Sequence, residues 1–139
     1  MRSLLVLALG LPLTVTACSP SKPSLGSGKV SASLGSRDAG TTSTIQVGEQ
    51  VEVRLSSPRG VAPEYRHEWS SSPRIEGEAL RFVTFSREAP GKNVDGGSVG
   101  YLYWFEGAAP GEATVTIDIV EPGDEVHEET WTATIRVTE

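Results

Sequence analysis

The sequence predicts an all-β domain, a sandwich of seven antiparallel strands, and three observations carry that prediction. Beyond Thr41, apolar and polar residues alternate with a period of two in run after run. Gly, Pro, Asp and Ser clusters separate those runs at the short spacing typical of two stacked sheets. No window in the same region combines a helical period with capping residues, so almost no helix is expected.

The strands can be taken in order. Ile45 and Val47 alternate with polar neighbours, Gly48-Glu49 turns the chain, and Val51, Val53 and Leu55 alternate with Glu52 and Arg54. Tyr65, His67 and Trp69 share a face of the third run. Leu80, Phe82 and Phe85 mark the fourth, with Val83 disturbing its register. Tyr101, Tyr103 and Phe105 alternate with Leu102 and Trp104 in the fifth, which is apolar on both faces and reads as a central covered strand. Ala113, Val115, Ile117 and Ile119 oppose Thr114, Thr116 and Asp118 in the sixth; Trp131, Ala133, Ile135 and Val137 oppose a threonine row in the seventh. The expected core is Trp69, Phe82, Tyr103 or Trp104, Ile117, Trp131 and Ile135.

Three segments precede or form this domain. Residues 1–17 combine Arg2, an apolar run from Leu4 to Leu13 and small residues up to Ala17, the layout of an export signal. Gly10 and Pro12 interrupt the run, which falls short of the ~20 apolar residues a membrane-spanning helix needs. Residues 18–41 are rich in Ser, Gly, Pro and Lys and read as a flexible linker whose root-mean-square reach is about 25 Å. The sandwich is expected over 42–139.

Val15-Thr16-Ala17-Cys18 resembles the bacterial lipobox, in which the Cys receives a diacylglycerol and becomes the first mature residue. The resemblance implies acylation of Cys18, anchoring to the bacterial cell envelope, and location in the outer membrane of a cell with two membranes. Several acyl chains anchor durably where one is marginal. Cys18 is also the single cysteine, so its acylation leaves no thiol for a disulfide, a nucleophile or a zinc site. Without Arg2 the chain carries 11 Lys and Arg against 18 Asp and Glu, a balance of about −7 that disfavours nucleic acid as a partner.

Gly96 to Gly100 spell G-x-S-x-G around Ser98. A nucleophile elbow needs a helix directly after the Ser, whereas Tyr101 to Phe105 are strand formers. His127, the downstream His, lies among Glu residues that would hold it protonated. No catalytic residue is therefore assigned, and the protein is expected not to be an enzyme. The acidic run Glu121, Asp124, Glu125, His127, Glu128 and Glu129 lacks calcium-loop spacing, so no metal and no cofactor are expected.

From about residue 43 to 138 the order of strands and loops is similar to that of the chagasin-type inhibitors of papain-like cysteine proteases. The elements that carry the likeness are Val47 to Leu55, a Pro/Gly loop, Trp69, a Gly-Gly turn before an aromatic strand, and Ala109-Pro110-Gly111-Glu112-Ala113-Thr114-Val115. The resemblance implies an Ig-like sandwich in which three loops at one end form a wedge for a protease cleft. The family's loops read N-P-T-T-G-aromatic-x-W, G-x-G-G and R-P-W. Here the first is Ser57-Pro58-Arg59-Gly60, the second Val94-Asp95-Gly96-Gly97, which keeps the final glycine pair and continues into Ser98 so that Asp95 to Ser98 is the contact loop, and the third Glu121-Pro122-Gly123, with acid in place of Arg and glycine in place of Trp. Small backbone can approach a thiolate closely and an aromatic anchor supplies affinity, so this set implies a protein partner bound more weakly than by a complete wedge. The alternatives are a plain Ig-like structural or adhesion module without protease inhibition, or an exposed patch of Leu102 and Trp104, or of the Tyr face, that stacks on carbohydrate or a protein.

Overall fold

The structure is a computed structural model that describes residues 28–57, 68–89, 99–120 and 126–139. Two sheets stack face to face. The first has strand order β1-β3-β7-β6, with β1 Val30–Leu34, β3 Gln50–Ser57, β7 Val99–Gly107 and β6 Leu80–Glu88. The second has the order β2-β9-β8-β4, with β2 Thr42–Gln46, β9 Val126–Thr138, β8 Gly111–Val120 and β4 Glu68–Trp69. A short β5, Arg74–Glu76, adds to the free side of β8.

The fold class is the expected all-β sandwich, with nine strands among the described residues where the sequence suggested seven. The added strands are short: β5 has three residues and β1 lies in the stretch assigned to the linker. That assignment of 18–41 is corrected from residue 28 onward. Leu34 is buried against the core, and its neighbours pair with β3 through backbone atoms, for which a Ser/Gly-rich composition is no obstacle. Nor is the sandwich wholly antiparallel. β1 runs parallel to β3 and β2 parallel to β9, so one N-terminal segment closes an edge of each sheet. Between them a single 3-10 turn, Ser36–Asp38, is the helical element of the described residues. It is held by Asp38 N donating to Gly35 O at 3.0 Å and Gly35 N to Asp38 Oδ2 at 2.7 Å.

The core sits between the sheets and follows the period-two pattern. Val51, Val53 and Leu55 of β3, Tyr101, Tyr103 and Phe105 of β7, Val115 and Ile117 of β8, and Trp131, Ala133 and Ile135 of β9 are buried there. Each large apolar side chain contributes about 1.5–3 kcal/mol by leaving water. The Phe82 and Phe105 rings lie 5.6 Å apart and the Phe85 and Tyr103 rings 5.0 Å apart, tilted in both cases. Val83 disturbs the register for a structural reason: Phe82 faces Phe105 and Thr84 faces Trp104, leaving Val83 as the extra residue of a bulge. The slip brings Phe85, not Thr84, back to the core side.

The strand ends define two poles. At the turn pole, Gly48 N donates to Gly107 O and Gly107 N to Glu49 O, both at 2.9 Å, and Ala108 N donates to Ala79 O at 2.8 Å. These bonds gather the 46–50, 77–79 and 107–111 connections. The other pole carries the remaining strand ends.

Candidate functional site

At this second pole the chain leaves and re-enters the sheets around three connections, 58–67, 90–98 and 121–125. Ser57 at the end of β3 pairs with Val99 at the start of β7, and Glu88 at the end of β6 pairs with Gly100. In the other sheet Val120 at the end of β8 pairs with both Glu68 of β4 and Val126 of β9. The stems of all three connections therefore stand side by side. Pairing alone produces this: three strands run toward the pole, and their antiparallel partners start from it.

A polar clamp ties the two sets of stems together across the sandwich. Arg87 of β6 donates through Nη2 to Glu68 Oε1 of β4 at 2.7 Å. The Arg87 guanidinium also lies 5.9 Å from the centre of the buried Tyr101 ring. Hydrogen bonding to Tyr101, opposed by burial, raises the Arg87 pKa, so its charge is permanent. Tyr103 adds a second link, its hydroxyl donating to Ser70 O just after β4 at 2.7 Å. Burial, with Tyr101 nearby, pushes the Tyr103 phenol well up, so it is a fixed donor.

Neither Arg87 nor Glu68 was singled out from the sequence, and Tyr101 and Tyr103 were read there only as strand and core residues. A partial signal existed in Arg87: beyond the bulge at Val83 it falls on the same side of β6 as Phe85, opposite Tyr101, at the exposed end of the strand.

Beside the stems, the 3-10 turn and the outer surface of the first sheet frame an open groove of about 680 Å³, lined by Arg37, Asp38, Arg54, Ser56, Glu88 and Gly100 among others. Gly100 lies on its floor, with Glu88 Oε2 3.5 Å from where a Cβ would be, an ordinary contact distance. Arg54 spans from Glu52 at 3.6 Å to Glu88 at 3.7 Å. With charges of both signs already paired at its rim, the groove reads as polar flank to the stems.

Of the sequence-derived site, Ser57 is placed as the last residue of β3. Pro58, Arg59, Gly60, Asp95, Gly96, Gly97, Ser98, Glu121, Pro122 and Gly123 lie outside the described residues, as do Cys18 and the side chains of His127, Glu128 and Glu129. The structure does place the strand end on each side of every one of those loops. It also places the end of the G-x-S-x-G motif, since Val99 and Gly100 already belong to strand β7, Val99–Gly107. The helix a nucleophile elbow requires is therefore missing. Among the described residues no group of His, Cys, Asp or Glu could hold a metal ion.

The aromatic strand resolves into two faces. Tyr101, Tyr103 and Phe105 belong to the core, whereas Leu102 and Trp104 point to the outer face of the first sheet. There Arg54 and Ser86 flank Leu102, and Glu52 and Thr84 flank Trp104. Leu102 is only 2% exposed and Trp104 is half-buried, so the expectation of a covered strand holds and Trp104 as a core residue is corrected to the outer face. The Tyr face is not available to a sugar.

No family model matches the chain, and no curated protein matches it. Solved structures do. Amebosin superposes with a TM-score of 0.57 at 23% identity, covering 77% of this chain and 97% of amebosin. The cysteine protease inhibitor EhICP2 from Entamoeba histolytica superposes with a TM-score of 0.61 at 12% identity, covering 77% of this chain and 96% of the inhibitor. The chain thus shares, over about three quarters of its own length and nearly the whole length of amebosin and of EhICP2, the fold of those two proteins.

Proposed function

We propose that the protein is a membrane-anchored, non-enzymatic lipoprotein that binds a papain-like cysteine protease through the loops Ser57 to Gly60, Asp95 to Ser98 and Glu121 to Glu125. The observation that carries the reading is the convergence of the three loop stems at one pole of a sandwich with the fold of a known cysteine protease inhibitor. A wedge requires three short segments presented together on a rigid support, and the two packed sheets supply that support.

The chemistry of the loops sets the expected strength. Gly96 and Gly97 allow backbone to approach a thiolate, while Glu121 and Gly123 replace the cation and aromatic anchor of the third loop. The expected affinity is micromolar, about 4 kcal/mol short of a nanomolar complex. The acidic third loop favours a protease with a basic rim and an association that weakens with salt.

The test is to titrate the chain lacking its export signal against a panel of papain-like enzymes while following peptide hydrolysis, then repeat with Gly96→Phe and Gly97→Phe. Dose-dependent inhibition that disappears in the Phe variants supports the wedge. Full protease activity at high micromolar concentrations of the chain would leave a plain Ig-like module.

A further inference from the structure

Lipid anchoring and the sandwich's two poles together carry an inference about how the domain stands on a membrane. The described chain enters the sandwich at the turn pole. Gln50 N donates to Lys29 O at 2.9 Å, and Gly28 is pressed so closely on the 48–50 turn that a Cβ there would lie 2.6 Å from Gly48 O. From that point β1 runs parallel to β3, away from the entry and toward the loop stems. β9 ends at the entry pole too, with Thr138 paired to Gln46.

We propose that the anchored protein holds its turn pole toward the membrane and its loop-stem pole outward, so that the partner it fits is a soluble protein approaching from the aqueous compartment. This rests on the anchoring part of the reading above and not on the identity of the partner. Lengths decide it. Residues 19 to 28 span at most about 35 Å when fully extended. The nine residues of β6 or β7 separate the two poles by about 30 Å. Turning the stems to the membrane would oblige the linker to run back along the whole sandwich, stretched nearly taut, at the expense of most of its conformational freedom. With the turn pole inward the same ten residues have no such distance to cover. Glu49, Glu78 and Glu139 at this pole oppose contact with anionic headgroups, but their repulsion is screened within about 8 Å at physiological salt. It lifts the domain on its tether and cannot invert it against that length constraint. The outward pole is then the one with the Arg87–Glu68 clamp and the mixed-charge groove, free of the bilayer and of neighbouring lipids.

The experiment uses the full chain, expressed in a bacterium, recovered with the membrane fraction and placed in phosphatidylcholine vesicles containing a rhodamine-labelled lipid. Two variants, Glu78→Cys and Ala89→Cys, put a maleimide donor dye at opposite ends of β6; both positions are exposed. An acylated Cys18 does not react with maleimide, which the parent chain verifies by staying unlabelled. Energy transfer to the lipid acceptor is expected to be severalfold stronger from position 78 than from position 89. Equal transfer from both, or the reverse order, on a membrane-bound chain overturns the orientation alone. A chain recovered entirely in the soluble fraction, with Cys18 open to maleimide, overturns the anchoring reading and the orientation with it, and leaves the protease titration as an independent result.

Discussion

Arg87 Nη2 and Glu68 Oε1 meet at 2.7 Å across the gap between the two sheets, at the pole where all three loop stems emerge. The two residues belong to strands that share no backbone pairing, so this ion pair fixes the distance between the stem of the 58–67 connection and that of the 90–98 connection.

Cutting the clamp is expected to separate stability from binding. Both side chains are about half exposed, which limits the pair to roughly 0.2–1 kcal/mol, with a similar amount from Arg87 over Tyr101. Arg87→Ala should therefore lower unfolding stability by no more than about 2 kcal/mol in a urea titration. Inhibition of a papain-like enzyme should weaken by about tenfold, because a wedge of three loops depends on their spacing. Unchanged inhibition in a folded Arg87→Ala chain would show that the stems need no clamp.

Tyr103 links the sheets through its hydroxyl bond to Ser70 O, and its pKa is raised mainly by burial. A raised folded pKa means that the neutral phenol is favoured by folding. The stabilisation is present in full below the unfolded value of about 10 and is lost as pH climbs above it. Wild type should lose stability steeply above about pH 10, and Tyr103→Phe should flatten that limb. At neutral pH the Phe variant should cost about 0.5–1.5 kcal/mol for the lost bond. Thermal melts of both chains from pH 7 to pH 11 would read the two effects separately.

Gly107 sits where the turn pole is tightest. A Cβ there would lie 2.7 Å from Gln46 O and 3.0 Å from Val137 Cγ1, and backbone and core cannot yield easily. Gly107→Ala should cost about 1–3 kcal/mol. Gly40 has a positive φ of 78° but open space around it, so Gly40→Ala should cost only the backbone strain, about 1 kcal/mol. Denaturant midpoints that rank Gly40→Ala as the worse of the two would contradict the packing described at Gly107.

Cys18 acylation is checked by metabolic labelling. Radiolabelled palmitate should enter the wild-type chain and not Cys18→Ala, and the variant should leave the membrane fraction. Equal label in both chains would refute the lipobox reading.

The sequence by itself determined the fold class and most of the core. Val51, Val53 and Leu55, or Ile117 and Ile135, alternate strictly because a half-buried strand exposes every second side chain to water, and that selection is local. Where it is not local, the pattern is mute. β1 in a Ser-rich stretch and the three-residue β5 are held by backbone bonds to strands distant in sequence, which composition does not report. The same holds for the outer placement of Trp104, since an apolar strand pattern does not say which face looks inward. The loop motifs around Gly96 and Pro122 could be read as candidate contact residues. The convergence of the strand ends that flank them at one pole could not, because it arises from the direction in which β3, β6 and β8 run and from which partner each takes. Tertiary structure alone brought Arg87 to Glu68: the bulge at Val83 set the register that carries Arg87 to the Tyr101 side of β6, and the strand end of the other sheet placed the Glu68 carboxylate within reach at the rim.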